Sequence, residues 1–207
     1  MANHLNIIPF IKAAEGGLSK NPKDQAAAYP VPDGSGYHTN KGITWRTWSN
    51  NFGNTQASIY GFYNMTDANW EYIFKKYYWD LIKGDQINSQ KIADILANWI
   101  WMSGTYTPVK NLQYILGVNQ DGILGPNTLK ALNNSNQTDT YNKLKGLQTA
   151  FFNNLGNQQG YTTFKTGWLN RLKNLFALTD GGTIVKNSLP IIAILAGIAL
   201  IYFLKNK

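Results

Sequence analysis

Only two glutamates occur in this chain of 207 residues, Glu15 and Glu71, against nine aspartates. Glu15 closes the first predicted helix, directly before Gly16-Gly17. The C-terminal end of a helix is its negative pole, and a carboxylate there is mildly disfavoured as an anion. A carboxyl group that keeps its proton near neutrality is what general acid catalysis requires. The competing reading is a solvated glutamate at a helix end, with the glycines serving only the turn. Glu71 stands among Trp70, Tyr72 and Ile73 on a regular helix and reads as an ordinary exposed residue. The chain has no cysteine, which excludes disulfide scaffolds, thiol catalysis and Cys-zinc sites. Two histidines, His4 and His38, do not make a multi-histidine metal site, so neither metal nor cofactor is expected.

The elements that must position these groups read as helical. Thr66 caps a predicted helix carrying Trp70, Ile73, Phe74, Tyr77 and Leu81 at spacings of three and four. Ser89 starts another, with Ile92, Ile95, Leu96, Trp99 and Ile100 inward, ending at Gly104. Thr107-Pro108 opens a third that stops at Gly117, Pro126 a short one to about Leu132, and Thr138 a longer one through Leu155. The last runs from about Phe164 to Leu178. Residues 21–41 break the rhythm with three prolines and the turn sequence Pro30-Val31-Pro32-Asp33-Gly34. A stretch of that length is functional or holds a short hairpin. Trp45, Trp48, Trp99 and Trp101 read first as core, although one near a cleft could stack on the apolar face of a sugar ring.

Composition sets the class. Apolar residues make up 43% of the chain and charged residues 14%, enough for a core and incompatible with general disorder. The net charge of +8 invites a nucleic-acid reading. With two arginines, Arg46 and Arg171, and scattered lysines, no nucleic-acid partner is expected. Leu189 to Leu204 is a run without charge, preceded by Asp180-Gly181-Gly182-Thr183 and followed by Lys205 and Lys207. As a helix it spans roughly 24 Å, which snorkelling flanks extend. The expectation is a membrane anchor at 189–204, a linker at 179–188 and a monomeric globular domain at 1–178.

Several ordered motifs resemble glycosyl hydrolase family 108, the phage and prophage-type lysozymes. They are Glu15-Gly16-Gly17 with the Asn-Pro-Lys-Asp of 21–24, then Thr39-Asn40-Lys41-Gly42-Ile43-Thr44-Trp45, then Tyr77-Tyr78-Trp79-Asp80. Leu112-Gln113, Leu116-Gly117-Val118 and Asp121 to Thr128 resemble the family's LQ…LGV…DGxxGPxT element, described as a predicted peptidoglycan-binding region within the lobe 105–176. Phe164 to Arg171 resembles the closing FKxGWLNR motif. The resemblance covers roughly residues 5 to 176.

It implies an all-α, lysozyme-like fold: one helical domain with an irregular N-terminal loop or small hairpin, joined to the expected C-terminal transmembrane helix. The implied function is a muramidase cleaving the β-1,4 bond between N-acetylmuramic acid and N-acetylglucosamine, with bacterial peptidoglycan as partner. Glu15 would be the acid protonating the glycosidic oxygen. Asp24 would stabilise charge or help hold water, and Thr39 would position it. The interval between them is expanded by an insert at 26–38, in which Asp33 is an alternative to Asp24 and His38 a candidate substrate contact. The Asp121 to Pro126 segment reads first as turn and helix-start chemistry.

One further departure concerns the Ser89 helix. Where family members tend to carry an acid and an amide before Ser-Gly, this chain has Asn98 and Met102. Asn98 is a candidate partner for a sugar N-acetyl group, and Trp45 a candidate sugar platform. The alternatives are a lytic transglycosylase using the same Glu15, or a non-catalytic peptidoglycan-binding or virion structural protein. The anchor would place the enzyme in a virion membrane or the host inner membrane, facing the wall.

Overall fold

The computed structural model describes residues 1–181, and the description below concerns those residues. Its centre is a helix buried along nearly its whole length. Helix α5 (Gln90–Ser103) is buried on every face from Ile92 to Ser103. A helix that is apolar all round must be surrounded, and the rest of the chain wraps it. Ser89 caps it, its hydroxyl accepting from the Ile92 N–H, and Gly104 ends it at φ +78°.

Before α5 lie α1 (Ile8–Ala13), α2 (Trp45–Phe52), α3 (Gln56–Tyr63) and α4 (Asp67–Phe74). Thr44, Thr55 and Thr66 cap α2, α3 and α4, each side chain accepting from the N–H three residues on. Of these caps the sequence reading named only Thr66. After α5 come α6 (Tyr106–Leu116), α7 (Pro126–Asn134), α8 (Gln137–Gly156) and α9 (Thr162–Thr179). Helix α6 has Thr105 and not Thr107 at its N-cap position, and the Thr105 side chain makes no capping bond. Pro108 sits in its first turn, where a missing N–H costs nothing. Helices α8 and α9 pack on each other and on α5, joined by Phe151, Phe152, Trp99 and Trp168. Each fully buried aromatic of this kind contributes on the order of 2 kcal/mol.

The irregular stretch ends in a hairpin, β1 (Thr39–Asn40) with β2 (Ile43–Thr44), paired Thr39 to Thr44 and Asn40 to Ile43. Its two turn residues, Lys41 and Gly42, both have positive φ, 48° and 77°. That is the hairpin geometry matched to strand twist. The turn is tied down from outside: Trp70 Nε1 donates to Lys41 O at 2.9 Å, and Lys41 Nζ to Met65 O at 2.7 Å.

Two expectations need correction. The predicted helix from Thr66 does not run regularly to Leu81. After Phe74 it widens into a π turn, Lys75–Trp79, and then a 3₁₀ turn, Asp80–Ile82. The wider turn changes the register, so Trp79 is fully buried and Leu81 faces solvent. The fold class with a C-terminal transmembrane helix, and the membrane localisation that rested on it, are likewise corrected. Among the described residues no helix is long and apolar enough to cross a membrane. The longest, α8 and α9, carry charges such as Lys143, Lys145, Lys165 and Arg171 and bury one face on neighbours. Residues 189–204, on which the anchor was expected, lie outside the described residues.

Candidate active site

Glu15 follows α1 by two residues, and its side chain is only 10% exposed. Its two oxygens have different surroundings. Oε1 accepts from Trp101 Nε1 at 2.7 Å and from Arg171 Nη1 at 3.0 Å. Oε2 lies against Gly42, where a Cβ would come within 2.6 Å of it and 2.7 Å of the Trp101 ring. Three distant parts of the chain therefore meet on one carboxylate: the end of α1, the C-terminal half of α5, and α9. The hairpin turn lies beside the remaining oxygen, so close that a side chain at Gly42 would collide with it.

The two donors are themselves held. Trp101 packs on Tyr78 at 4.6 Å between ring centroids and on Trp70 at 5.3 Å. Arg171 is 2% exposed; its Nε donates to Asn98 Oδ1 at 2.8 Å and its guanidinium lies over the Phe10 ring at 5.7 Å. Asn98 and Trp101 are one turn apart on α5, so a single helix face carries both Arg171's anchor and a Glu15 donor. The π turn brings Tyr78 to this cluster. Burial first, and then the Glu15 carboxylate, push its phenol up, so it remains a neutral hydroxyl.

A second polar chain lies at the base of the insert. Asp24 is buried; Oδ1 caps the 3₁₀ turn Gln25–Ala28 by accepting from Ala26 N–H at 2.9 Å. Its Oδ2 has no hydrogen-bond partner and sits 3.9 Å from His38 Nδ1. Burial raises the Asp24 carboxyl, outweighing the lowering by Ala26 N–H and His38. His38 Nε2 faces Asn21 O at 3.2 Å, and Nδ1 faces Thr39 Oγ1 at 2.9 Å. A carbonyl oxygen can only accept, so Nε2 carries the proton; in the neutral ring Nδ1 then accepts from the Thr39 hydroxyl.

The other expected site residues fall elsewhere. His38 is fully buried and offers no surface to a substrate. Asp33 is on the surface, accepting from Tyr63 Oη at 2.6 Å and from Ser35 N–H at 3.0 Å, bonds that lower its carboxyl. Asn98 is fully buried on Arg171, and Trp45 is buried edge-on against Phe62 at 5.4 Å. Glu71 bonds His4 Nε2 at 2.9 Å, away from the Glu15 cluster. The sequence reading gave no site role to Tyr78, Gly42 or Arg171, and named Trp101 only among four tryptophans of which one could stack on a sugar. A signal for Arg171 was present: it is one of two arginines and ends the FKTGWLNR motif.

The site thus offers one nearly buried carboxyl group with both side-chain donors on a single oxygen, set in a mainly helical frame. Residues 8–104 match the family model described as Glycosyl hydrolase 108, and residues 107–173 match that described as Predicted Peptidoglycan domain. Together the two matches support an enzyme that degrades peptidoglycan, with the glycosyl hydrolase 108 match on residues 8–104. Among solved structures it is similar to SagA of Brucella abortus, with 26% identity over 84% of this chain and 92% of that one and a TM-score of 0.65. No curated protein matches it.

Proposed function

We propose that the protein is a muramidase that hydrolyses the bond between N-acetylmuramic acid and N-acetylglucosamine, with Glu15 as the general acid. The observation that carries this reading is the asymmetry of the Glu15 carboxyl group. Trp101 and Arg171 both donate to Oε1, which leaves Oε2 to hold the transferable proton. As Oε2 gives that proton to the glycosidic oxygen, negative charge develops on the carboxylate, and two donors already in place stabilise it. The leaving sugar then departs as an alcohol rather than an alkoxide, and the oxocarbenium-like centre is quenched by water. A phage or prophage setting is supported by the resemblance of the motifs.

A second reading, a lytic transglycosylase, is favoured by the burial of Asp24 and Thr39. In that reaction the muramic acid's own 6-hydroxyl attacks, so no second carboxylate has to activate water. Both readings are tested by digesting purified peptidoglycan with the full chain and with Glu15→Gln, then weighing the products. Reducing-end muramic acid supports hydrolysis, and 1,6-anhydro-muramic acid the transglycosylase. Equal product from a folded Glu15→Gln protein overturns both.

A further inference from the structure

The hairpin turn beside Glu15 carries a residue that the turn itself does not favour. Lys41 holds φ +48°, and among the described residues only Lys83 shares a positive φ without being glycine. A two-residue turn of this kind is best filled by Asn-Gly, and a long side chain in the left-handed region is strained. Strained residues gather at functional sites, where the side chain serves something other than the fold. Lys41 Nζ donates to Met65 O at 2.7 Å, and among the described residues no carboxylate is bonded to it.

A second ammonium faces the same acid as Lys41. Lys12 is in the last turn of α1, and the Glu15 N–H donates to Lys12 O at 3.2 Å. Lys12 Nζ stands over the Trp70 ring at 5.6 Å and bonds Asp67. Asp67 is exposed, and its carboxyl is held below the usual carboxylate range by Lys12 first and also by Lys41. Two ammoniums therefore share one carboxylate, which leaves a positive excess. Trp70 joins this cluster to the acid: its Nε1 donates to Lys41 O at 2.9 Å, and its ring packs at 5.3 Å on Trp101, a Glu15 donor. Gly42, the next residue after Lys41, lies against Glu15 Oε2. A sugar brought to Oε2 therefore lies beside the turn that carries Lys41.

We propose that Lys41, aided by Lys12, sets the specificity of the Glu15 centre by receiving a carboxylate carried on the muramic acid residue. N-acetylglucosamine has no such group, so the contact places the muramyl residue, and not its neighbour, on the hairpin side of the acid. The carboxylate is that of the lactyl ether where the stem peptide is absent, or one within the stem where it is present. Attraction between an ammonium without a bonded acid and an anionic residue fixes the register of a strand whose two sugars alternate through the same β-1,4 geometry. The inference rests on the muramic acid reading given above.

The test measures binding of soluble glycan strands to the full chain in the Glu15→Gln background, by calorimetry. The strands are used intact, with their stems removed by an amidase, and with every carboxylate converted to a primary amide. Lys41→Asn removes the charge and supplies the residue that the turn prefers, so the hairpin is retained. Amidation is expected to weaken binding to the parent about three- to fivefold, and binding to Lys41→Asn by less than about twofold. Lys41→Arg should behave as the parent. Lys41-dependent binding of the stripped strands assigns the contact to the lactyl carboxylate; dependence seen only with intact strands assigns it to the stem. An amidation effect of equal size in the parent and Lys41→Asn, including none in either, overturns the assignment. Lys41-dependent binding by a chain whose wild type releases no product from peptidoglycan keeps the lysine site and removes the enzymatic reading. Product release with no dependence of binding on Lys41 does the reverse.

Discussion

Arg171 donates through Nη1 to Glu15 Oε1 at 3.0 Å, joining the last described helix to the end of the first. With Arg171 almost wholly buried, this pair is part of the core as much as of the site. Removing one side of this buried contact leaves the other side without its partner and costs about 3 kcal/mol or more. Arg171→Met is expected to show that loss in denaturant unfolding. The double variant Arg171→Met/Glu15→Gln should lose less than the sum of the two single variants, because the two side chains share one contact.

Trp101→Phe separates packing from donation. Phenylalanine retains a ring against Tyr78 and Trp70 but removes the Nε1–H bonded to Glu15. A hydrogen bond to a charged group is worth about 1.5–3 kcal/mol. Turnover of peptidoglycan should fall roughly 10- to 100-fold, while far-UV circular dichroism remains that of the wild type.

Gly42 and Gly34 have similar positive φ, 77° and 79°, but different surroundings. A Cβ at Gly34 meets nothing within 4 Å, whereas at Gly42 it meets Glu15 Oε2 and Trp101. Gly34→Ala should cost only backbone strain, about 1–2 kcal/mol, with activity retained. Gly42→Ala should cost more and abolish activity. Thermal melts and product release from the two proteins, run side by side, make the comparison.

Asn98→Asp would set a second carboxylate against the Arg171 guanidinium. Arg171 would then be shared, and its hold on Glu15 Oε1 would weaken. Product release from peptidoglycan is expected to fall below that of the wild type. Unchanged release would show that the Arg171–Glu15 contact does not support turnover.

Asp94 gives a pH dependence of stability. It is buried on α5, and burial raises its carboxyl to about 7 against a lowering by the Gln90 amide. Between the unfolded value near 3.8 and about 7, the folded chain keeps a proton that the unfolded chain has released. The resulting stability is complete below about pH 4 and is lost as pH rises through 7, on the order of 4 kcal/mol in all. Asp94→Asn should flatten the decline between pH 5 and 7 and melt above the wild type at pH 8.

Much of the helical frame was legible from residue periodicity and caps. Ser89 and Gly104 bound α5 where the spacing predicts, and Thr66 caps α4. The register beyond Phe74 was not legible, since a π turn leaves no mark in the three–four spacing. The hairpin at Thr39 to Thr44 falls at the edge of the irregular stretch because its strands are too short to show alternation. Asp24, Thr39 and His38 do come together, but in a buried chain that withholds them from substrate.

Composition narrows a glutamate acid to two candidates, Glu15 and Glu71, and the resemblance of the motifs around Glu15 chooses between them. Composition also excludes thiol and Cys-zinc chemistry. The order of motifs points to a wall-degrading family. Tertiary structure decided what Glu15 touches. The pairing with Arg171 spans 156 residues and the one with Trp101 spans 86. Local sequence determines caps, turns and the apolar face of a helix. Which charge meets which across such distances depends on how α1, α5 and α9 pack, and that packing follows from the shape of the whole core.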